Sequence, residues 1–254
     1  MPDTQFSDPK LVAIYNTVNP IDDYKDFYID LAQKLSSQLI LDIGAGTGLI
    51  TSELVSKGFS VIAIEPSVEM LKVAEENNTS EKIQWINGDA LNLEKYEADL
   101  AIMTGHVAQF YTDDETWLNA LKSIHNALKS GGYLAFESRN PLVQPWPENE
   151  KTAHSDWPSN EKRRTVTDPE HGEIEWWYKM LEVKDNLMRY EVHYFFKETL
   201  EELVSTNVLK FRTRDQLTKS LKDAGFNVEI IYGDWEGNGA NDESAEFIFI
   251  AKSL

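Results

Sequence analysis

The sequence predicts an α/β fold in which a mostly parallel sheet is covered by helices and carries an inserted antiparallel sheet. Two observations support this. Short apolar runs alternate with amphipathic helical segments up to about residue 140, and this alternation is typical of a parallel sheet with helices on both faces. A proline-rich stretch, Pro141–Pro147, then leads into a segment of different composition, rich in aromatic and β-branched residues.

Short apolar runs predict the strands of the parallel sheet. These runs are Leu39–Ile43, Val61–Ile64, Ile83–Ile86, Leu100–Met103 and Tyr133–Phe136. Between them, Gly48–Lys57 is predicted to be a helix that Gly58 ends, and Ser67 is a suitable N-cap for the next one. Asp113–Lys129 carries its apolar residues on one stripe, so it predicts an amphipathic helix that ends at Gly131 and Gly132.

The segment after the prolines predicts antiparallel strands. Glu173–Val183 and Leu187–Phe196 flank Asp185 and Asn186, a turn signal between two runs that favour strands. Glu201–Phe211 predicts a further strand. The chain then returns to the first pattern, with a helix over Thr213–Ala224 and two closing strands at Val228–Tyr232 and Phe247–Ala251.

Composition excludes several classes of function. The chain of 254 residues has 24 Lys and Arg against 43 Asp and Glu, a net charge of −19, which disfavours general binding to nucleic acids or anionic membranes. It has no cysteine, so disulfides, thiolate catalysis and cysteine zinc sites are excluded. Without a signal peptide pattern or a long apolar run, we expect a soluble cytoplasmic protein.

A glycine-rich turn between the first strand and its helix is the first candidate site. It reads Leu41-Asp-Ile-Gly44-Ala-Gly46-Thr-Gly48. Glycines there allow positive φ and a close approach of the backbone to a ligand, next to free N–H groups of the helix. A nucleoside-bearing ligand would lie here, outside the carboxyl ends of the strands. A turn needed only for packing is the alternative.

Acidic residues follow the next two strands. Glu65 lies about 20 residues beyond the glycines, where a carboxylate can accept both ribose hydroxyls. Asp89 could bind an exocyclic amine of a base, and the N–H of Ala90 a ring nitrogen. A solvated carboxylate and a plain turn are the alternatives at each position. Three such features at successive strand ends are less easily explained by chance than any one.

Taken together, the segments LDIGAGTG, IEPS, INGDA, ADLAIMTGH and LKSGGYLAFES resemble the class I S-adenosylmethionine-dependent methyltransferases. Residues 211–254 resemble the last helix and final antiparallel hairpin of that family. The resemblance implies a Rossmann-like seven-stranded, mostly parallel sheet with an antiparallel last strand. It places the core at residues 1–140 and 211–254, with 1–35 as a helical cover and 141–210 as an inserted antiparallel β lid.

The resemblance also implies a set of residues that bind S-adenosylmethionine. Asp42, Gly44, Ala45, Gly46 and Gly48 would line its methionine and ribose part. The ribose hydroxyls would meet Glu65, beside Pro66, and the adenine would meet Asp89, Ala90 and Met70. The loop Thr104, Gly105 and His106 would lie beside the sulfonium. Tyr15 and Tyr28, in a segment that resembles the helix closing over the cofactor, are further candidates, although amphipathic packing also explains them.

Methyl transfer from a sulfonium requires alignment and exclusion of water and needs no metal. His106 is the candidate general base if the acceptor must lose a proton, and shaping the pocket is its alternative role. Arg139 and Asn140 could orient a substrate carboxylate, or Arg139 could form a structural ion pair. Trp177, Tyr178, His193 and Tyr194 of the insert could contact the acceptor, although core packing also explains aromatic residues in strands.

The predicted activity is methyl transfer from S-adenosylmethionine to a small-molecule acceptor. The loop after the fourth strand reads Thr-Gly-His-Val, so it lacks the Asn/Asp-Pro-Pro-Tyr/Phe signature of enzymes that methylate amino groups of bases. Together with the charge, this disfavours a nucleic-acid substrate. Two alternatives remain at this point. One is a nicotinamide-dependent reductase, which the Gly-x-Gly-x-Gly spacing disfavours, and the other is a non-catalytic protein that binds S-adenosylmethionine.

Overall fold

The computed structural model of the chain describes residues 3–20, 24–143 and 162–254. Its helices are α1 (Thr4–Ser7), α2 (Pro9–Ala13), α3 (Tyr15–Val18), α4 (Tyr24–Lys34), α5 (Leu49–Ser56), α6 (Val68–Asn77), α7 (Asp114–Ala127) and α8 (Arg214–Asp223). Its strands are β1 (Leu39–Ile43), β2 (Ser60–Glu65), β3 (Ile83–Asn87), β4 (Ala98–Met103), β5 (Leu128–Arg139), β6 (Arg164–Asp168), β7 (Gly172–Lys184), β8 (Leu187–Phe196), β9 (Glu201–Lys210), β10 (Phe226–Tyr232) and β11 (Glu246–Ser253).

Seven strands form the large sheet, in the order β10-β11-β5-β4-β1-β2-β3. Neighbouring strands from β1 to β5 pair in parallel. Strand β11 lies between β10 and β5 and is antiparallel to both. The predicted fold class, a mostly parallel sheet with an antiparallel last strand, is therefore confirmed.

Helices cover both faces of the large sheet because its central strands are apolar on both sides. In β1, Leu41 and Ile43 pack in one core with Trp117 of α7, whereas Ile40 packs in the other with Tyr28 of α4. Ser67 caps α6 through the N–H of Met70, as predicted from the sequence. A capping box formed by Thr213 and Gln216 opens α8. Within the three described ranges, no helix combines the length and apolarity needed to cross a membrane.

The boundary between α7 and β5 differs from the sequence prediction. The helix ends at Ala127 and the strand begins at Leu128, so Gly131 and Gly132 lie inside the strand instead of ending the helix. Leu128 is extended and buried, and it pairs with Ala98 of β4. Gly131 has a φ of 75°, at an irregularity in the pairing of β4 with β5. Burial of Leu128 in the core therefore outweighs the helix-ending tendency of the glycines.

The inserted segment forms a separate four-stranded antiparallel sheet in the order β6-β7-β8-β9. Strands β7, β8 and β9 match the sequence prediction, and β6 was not predicted. Most of the proline-rich stretch Pro141–Pro147 lies outside the described residues. One face of this small sheet packs on the N-terminal helices, where Ile174, Tyr190 and Phe196 share a core with Leu11 and Ile14. The small sheet and the N-terminal helices therefore form one layer beside the large sheet.

Candidate functional site

A cavity of about 800 Å³ opens at the carboxyl-terminal edge of the large sheet. Five neighbouring parallel strands bring residues to its wall: Gly44 after β1, Glu65 at the end of β2, Asp89 after β3, Thr104 after β4 and Arg139 at the end of β5. The volume lies within the range of about 300–1,000 Å³ that small-molecule sites occupy. The polar groups that the sequence places at successive strand ends thus face one cavity.

The glycine loop after β1 has positive φ at Gly44, Gly46 and Gly48, namely 75°, 58° and 78°. A Cβ atom on Gly44 would lie 2.5 Å from a methyl group of Val107, and one on Gly48 would lie 2.6 Å from the ring of Trp85. These two glycines are therefore required by packing. A Cβ atom on Gly46 would meet no atom within 4 Å, although Gly46 lines the cavity. The loop thus leaves open space beside Gly46 that a ligand can occupy.

Glu65 is a buried carboxylate on the cavity wall, only 6% exposed. One of its oxygens accepts a hydrogen bond from the N–H of Gly46 at 2.9 Å, and the other accepts from the N–H of Ser67 at 2.8 Å. Burial raises the pKa of Glu65, and these two hydrogen bonds oppose the rise. Each carboxylate oxygen has two lone pairs, so Glu65 can accept further hydrogen bonds from a ligand diol.

Beyond Glu65, the cavity wall becomes largely apolar. Met70 of α6 and Ala90 after β3 are buried, and both line the cavity with Tyr111. Burial raises the pKa of Tyr111, and the charge of Asp89 adds to the rise. Asp89 is exposed at this end, and its carboxylate accepts from the N–H of Leu91 at 2.8 Å. An apolar pocket with a carboxylate at its rim suits an aromatic base that carries an exocyclic amine.

The loop after β4, formed by Thr104, Gly105 and His106, also lines the cavity. His106 has a φ of 64°, an uncommon value for a residue other than glycine. Its backbone N–H donates to Glu137 at 2.7 Å, and its Nε2 lies 2.9 Å from an oxygen of Glu246. Two glutamates from different strands therefore hold this histidine by its backbone and by its ring.

These glutamates belong to a buried polar network behind the loop. Glu137 in β5 is 1% exposed, and its second oxygen accepts from the hydroxyl of Tyr28. Burial raises the pKa of Glu137, against the lowering effect of the His106 charge and the Tyr28 hydrogen bond. Burial alone would also raise the pKa of Glu246, but the hydrogen bond and charge of His106, together with Arg139, hold it below its ordinary value. Glu246 therefore stays ionised.

The far half of the cavity has aromatic walls and charges of both signs. The ring of Phe6 lies 6.0 Å from that of Tyr15 and 5.5 Å from that of Phe110, measured between centroids, and all three residues line the cavity. Burial raises the pKa of Tyr15 to about 12, so its hydroxyl stays protonated at neutral pH. Asp3 and Arg139 add one carboxylate and one guanidinium to this wall. This half can enclose a small polar molecule.

Thirteen of the residues singled out in the sequence line this cavity. They are Tyr15, Gly44, Ala45, Gly46, Glu65, Pro66, Met70, Asp89, Ala90, Thr104, Gly105, His106 and Arg139. Tyr28, Asp42 and Gly48 do not line it, which corrects the expectation of direct contact. Tyr28 is turned to Glu137, and Asp42 is fully buried beneath the loop, where the hydroxyl of Thr51 donates to it. These residues support the wall from behind.

The aromatic residues predicted to contact the acceptor lie elsewhere. Successive residues of a strand face opposite sides, so Trp177 and His193, which are register partners, lie on the face of the small sheet away from the N-terminal helices. Their rings stack on each other at 4.9 Å. Tyr178 and Tyr194 pack with the core between the small sheet and those helices, and neither lines the cavity.

Asn140 is the other correction. It is fully buried, and its side-chain amide donates to the carbonyls of Asp242 and Ser244. Its side-chain oxygen accepts from the N–H of Leu142 at 3.0 Å. This set of hydrogen bonds ties the end of β5 to the loop before β11. Asn140 therefore stabilises the local fold and does not line the cavity, unlike its neighbour Arg139.

Sequence reasoning missed several residues of the site. Glu137 directly follows the apolar run Tyr133–Phe136 of β5, and a carboxylate that continues such a run is a signal of a buried polar network. Glu246 opens the last strand and carries no comparable signal. Asp3, Phe6 and Phe110 reach the cavity only because α1 and the turn after His106 fold over the sheet.

A family model and several known proteins are similar to this chain. A family model described as a methyltransferase domain matches residues 40–132. Glycine/sarcosine N-methyltransferase from Aphanothece halophytica is 24% identical over 89% of this chain and 80% of that protein. Two solved structures share the fold. An S-adenosylmethionine-dependent methyltransferase from Clostridium acetobutylicum has a TM-score of 0.77 at 19% identity, covering 96% of this chain and 98% of its own. An amino pentose methyltransferase from Micromonospora echinaspora, with S-adenosylmethionine bound, has a TM-score of 0.68 at 18% identity, covering 95% of each chain.

Proposed function

Because the chain is a class I S-adenosylmethionine-dependent methyltransferase, we propose that it binds the methyl donor across the strand tips and methylates a small molecule held in the aromatic half of the cavity. The observation that carries the proposal is the convergence of Gly46, Glu65 and Asp89 on one cavity. These groups come from three successive strands, and their order matches the order of chemical groups along S-adenosylmethionine.

The residues present fit this donor. Gly46 leaves open space at the loop, so the methionine part can approach the backbone closely. Glu65 is fixed by two backbone N–H groups with acceptor capacity to spare, which suits the ribose hydroxyls. Met70 and Ala90 supply an apolar surface, and Asp89 an acceptor, for the adenine. S-adenosylmethionine supplies an activated methyl group on its sulfonium.

The chain itself positions and encloses the acceptor. Arg139 lines the cavity, and its guanidinium can bind an acceptor carboxylate in a planar, bidentate arrangement. His106 lines the cavity in the loop after β4, a strand that lies between β1 and β5 in the sheet. The N-terminal helices cover the aromatic half, and Val208 of β9 reaches the cavity from the small sheet. We assign the insert the role of a lid that excludes water from the reaction.

Names of similar proteins support an acceptor of low molecular weight. The Aphanothece protein is named for glycine and sarcosine, and the Micromonospora protein for an amino pentose. The net charge of −19 also favours a small molecule over a nucleic acid, because the acidic surface repels a phosphate backbone. Glycine, sarcosine and an amino pentose are therefore suitable first probes.

Calorimetric titration followed by a turnover assay tests the proposal. We expect S-adenosylmethionine to bind the purified chain and NADH not to bind. We also expect at least one probe amine to release S-adenosylhomocysteine at a rate above that of the protein without acceptor. Binding of NADH alone would support the reductase alternative. Tight binding of S-adenosylmethionine with no turnover on a broad acceptor panel would support a non-catalytic binding protein.

A further inference from the structure

The ring of His106 is held in one orientation by a carboxylate that does not line the cavity. Nε2 lies 2.9 Å from Glu246, and the two side chains are 16% and 24% exposed. Glu246 opens β11, directly opposite Arg139 of β5 in the antiparallel pairing. His106 lines the cavity, whereas Glu246 does not.

This contact determines which ring nitrogen can accept a proton. An ionised carboxylate only accepts hydrogen bonds, so the Nε2 of a neutral His106 must carry the hydrogen. Nδ1 is then left with its lone pair, and no residue in the described part of the chain hydrogen-bonds to it. The pairing of an imidazole with an orienting carboxylate is the arrangement by which hydrolases hold a general base.

Charged groups from several elements lie around His106. Glu246 faces the ring from β11, and Glu137 faces its backbone from β5 and also accepts from Tyr28 of α4. Arg139 lies opposite Glu246 in the antiparallel pairing, and its charge acts on that carboxylate. The charged groups on this side of His106 are therefore two carboxylates and one guanidinium.

The cavity as a whole favours a cationic acceptor. Asp3, Glu65, Asp89 and Asp113 line it, whereas Arg139 is the single Lys or Arg among the lining residues that the structure describes. A negative potential raises the local concentration of cations. Most aliphatic amines are ammonium ions at neutral pH, like the side chain of lysine, and an ammonium has no lone pair to attack a methyl group. Such an acceptor needs a base beside the methyl group.

We propose that the acceptor is an amine that enters as an ammonium ion, that Nδ1 of His106 removes its proton, and that Glu246 is the positioning residue that fixes the tautomer. This inference rests on the proposed methyl transfer. The freed nitrogen lone pair forms the new N–C bond, and the S–C bond breaks with its electron pair moving to sulfur. The proton on Nδ1 then leaves to solvent. The products are the methylated amine, S-adenosylhomocysteine and one proton.

The tautomer can be observed without any acceptor. Two-bond ¹H–¹⁵N correlations on the full chain labelled with ¹⁵N-histidine distinguish the three states of an imidazole, and His106→Asn identifies the signal among the five histidines. We expect the Nε2–H tautomer in the wild type and loss of that preference in Glu246→Gln. The control is Glu202→Gln, which removes a similar contact, from Glu202 to Nδ1 of His193 at 2.6 Å on the small sheet, and should leave the His106 signal unchanged.

Kinetics with an amine that turns over complete the test. General base catalysis contributes about 10²–10⁴-fold, so we expect His106→Asn to lower kcat by at least about 100-fold at pH 7, and Glu246→Gln by about tenfold or more. Binding of S-adenosylmethionine should change less than twofold in both variants. Glu246→Asp should recover part of the loss. At pH 10 the deficit of His106→Asn should shrink, because the free amine is then abundant.

Each outcome separates this inference from the proposed function. If S-adenosylmethionine does not bind the wild type, the proposed function fails. If it binds but the His106 tautomer is the same in Glu246→Gln, the positioning role of Glu246 is wrong. A kcat of His106→Asn equal to the wild type at pH 7 overturns the base assignment. Turnover confined to acceptors that are not amines, such as thioethers, overturns the amine assignment.

Discussion

The two halves of the cavity are built in different ways. The half that we propose for the donor consists of strand tips and main-chain groups that lie close in sequence. Glu65 at the end of β2, for example, accepts a hydrogen bond from the N–H of Gly46 in the loop after β1. The acceptor half takes its walls from α1, α3, β5, β9 and the turn after His106. A shared cofactor requires one geometry, whereas the acceptor half is assembled from distant segments that can change independently. Local sequence therefore encodes much of the first half and little of the second.

The largest expected effect is in the donor half. Gly46→Leu fills the open space at the loop, so we expect the affinity for S-adenosylmethionine to fall by more than about 100-fold, equivalent to about 3 kcal/mol. Gly58→Leu is the matched control, because Gly58 also has a positive φ, 102°, and also has open space at its Cβ position. It should lose a similar amount of stability and retain binding. Equal binding by both variants in calorimetry would contradict the position of the loop.

Glu65→Gln should have the next largest effect. Loss of a charged hydrogen bond costs about 1.5–3 kcal/mol, so the dissociation constant should rise by about 10–150-fold. Asp99→Asn is the control. Asp99 also accepts from two backbone N–H groups, those of Gln38 and Leu39, but it is the second residue of β4 and so lies at the opposite edge of the sheet. A similar loss in both variants would indicate that Glu65 acts only through the fold.

Arg139→Gln tests the acceptor half. We expect KM for a carboxylate-bearing acceptor such as sarcosine to rise about tenfold. This corresponds to a loss of roughly 1.4 kcal/mol, close to that of one ionic hydrogen bond. The dissociation constant of S-adenosylmethionine should stay within twofold. Arg189→Gln, on an exposed residue of β8, is the control. A parallel loss of donor and acceptor binding would show that Arg139 holds both halves together through Gln109, which accepts from its guanidinium at 3.1 Å.

The smallest effect concerns the support beneath the donor half. Burial raises the pKa of Asp42 from 3.8 to about 7, so the native state holds this proton more tightly than the unfolded chain. This tighter proton binding by Asp42 stabilises the native state fully below pH 3.8, and the stabilisation is lost as the pH rises through 7. Asp42→Asn should therefore have a higher Tm than the wild type at pH 8, because it removes the cost of burying an ionised carboxylate. Each kcal/mol of that cost corresponds to about 2–4 °C, and the difference in Tm should shrink towards pH 5. Exposed Asp26→Asn should leave the pH dependence of Tm unchanged.

Much of the fold and of the donor half follows from local sequence. Strand ends, helix caps and the glycine loop are encoded within a few residues, and the alternation of strands and helices requires a parallel sheet. The start of β5 at Leu128 could not be predicted, because long-range burial overrides the local preference of Gly131 and Gly132. The face that Trp177 presents could not be predicted either, since it depends on which side of the small sheet the N-terminal helices cover.

A different kind of information was missing for the acceptor half. The pairing of His106 with Glu246 joins residues that are far apart in sequence, through the return of the last strand beside β5. No periodicity or local motif encodes such a contact. Glu137 could have been suspected from its place in an apolar strand, but its partners, Tyr28 and His106, come from two other elements.

The most direct test of the donor site is a crystal structure with S-adenosylhomocysteine. It should show the ribose hydroxyls on Glu65, the adenine between Met70 and Ala90, and the sulfur facing the loop that carries His106. Ribose placed away from Glu65, or an adenosyl group outside the cavity at the strand tips, would contradict the account.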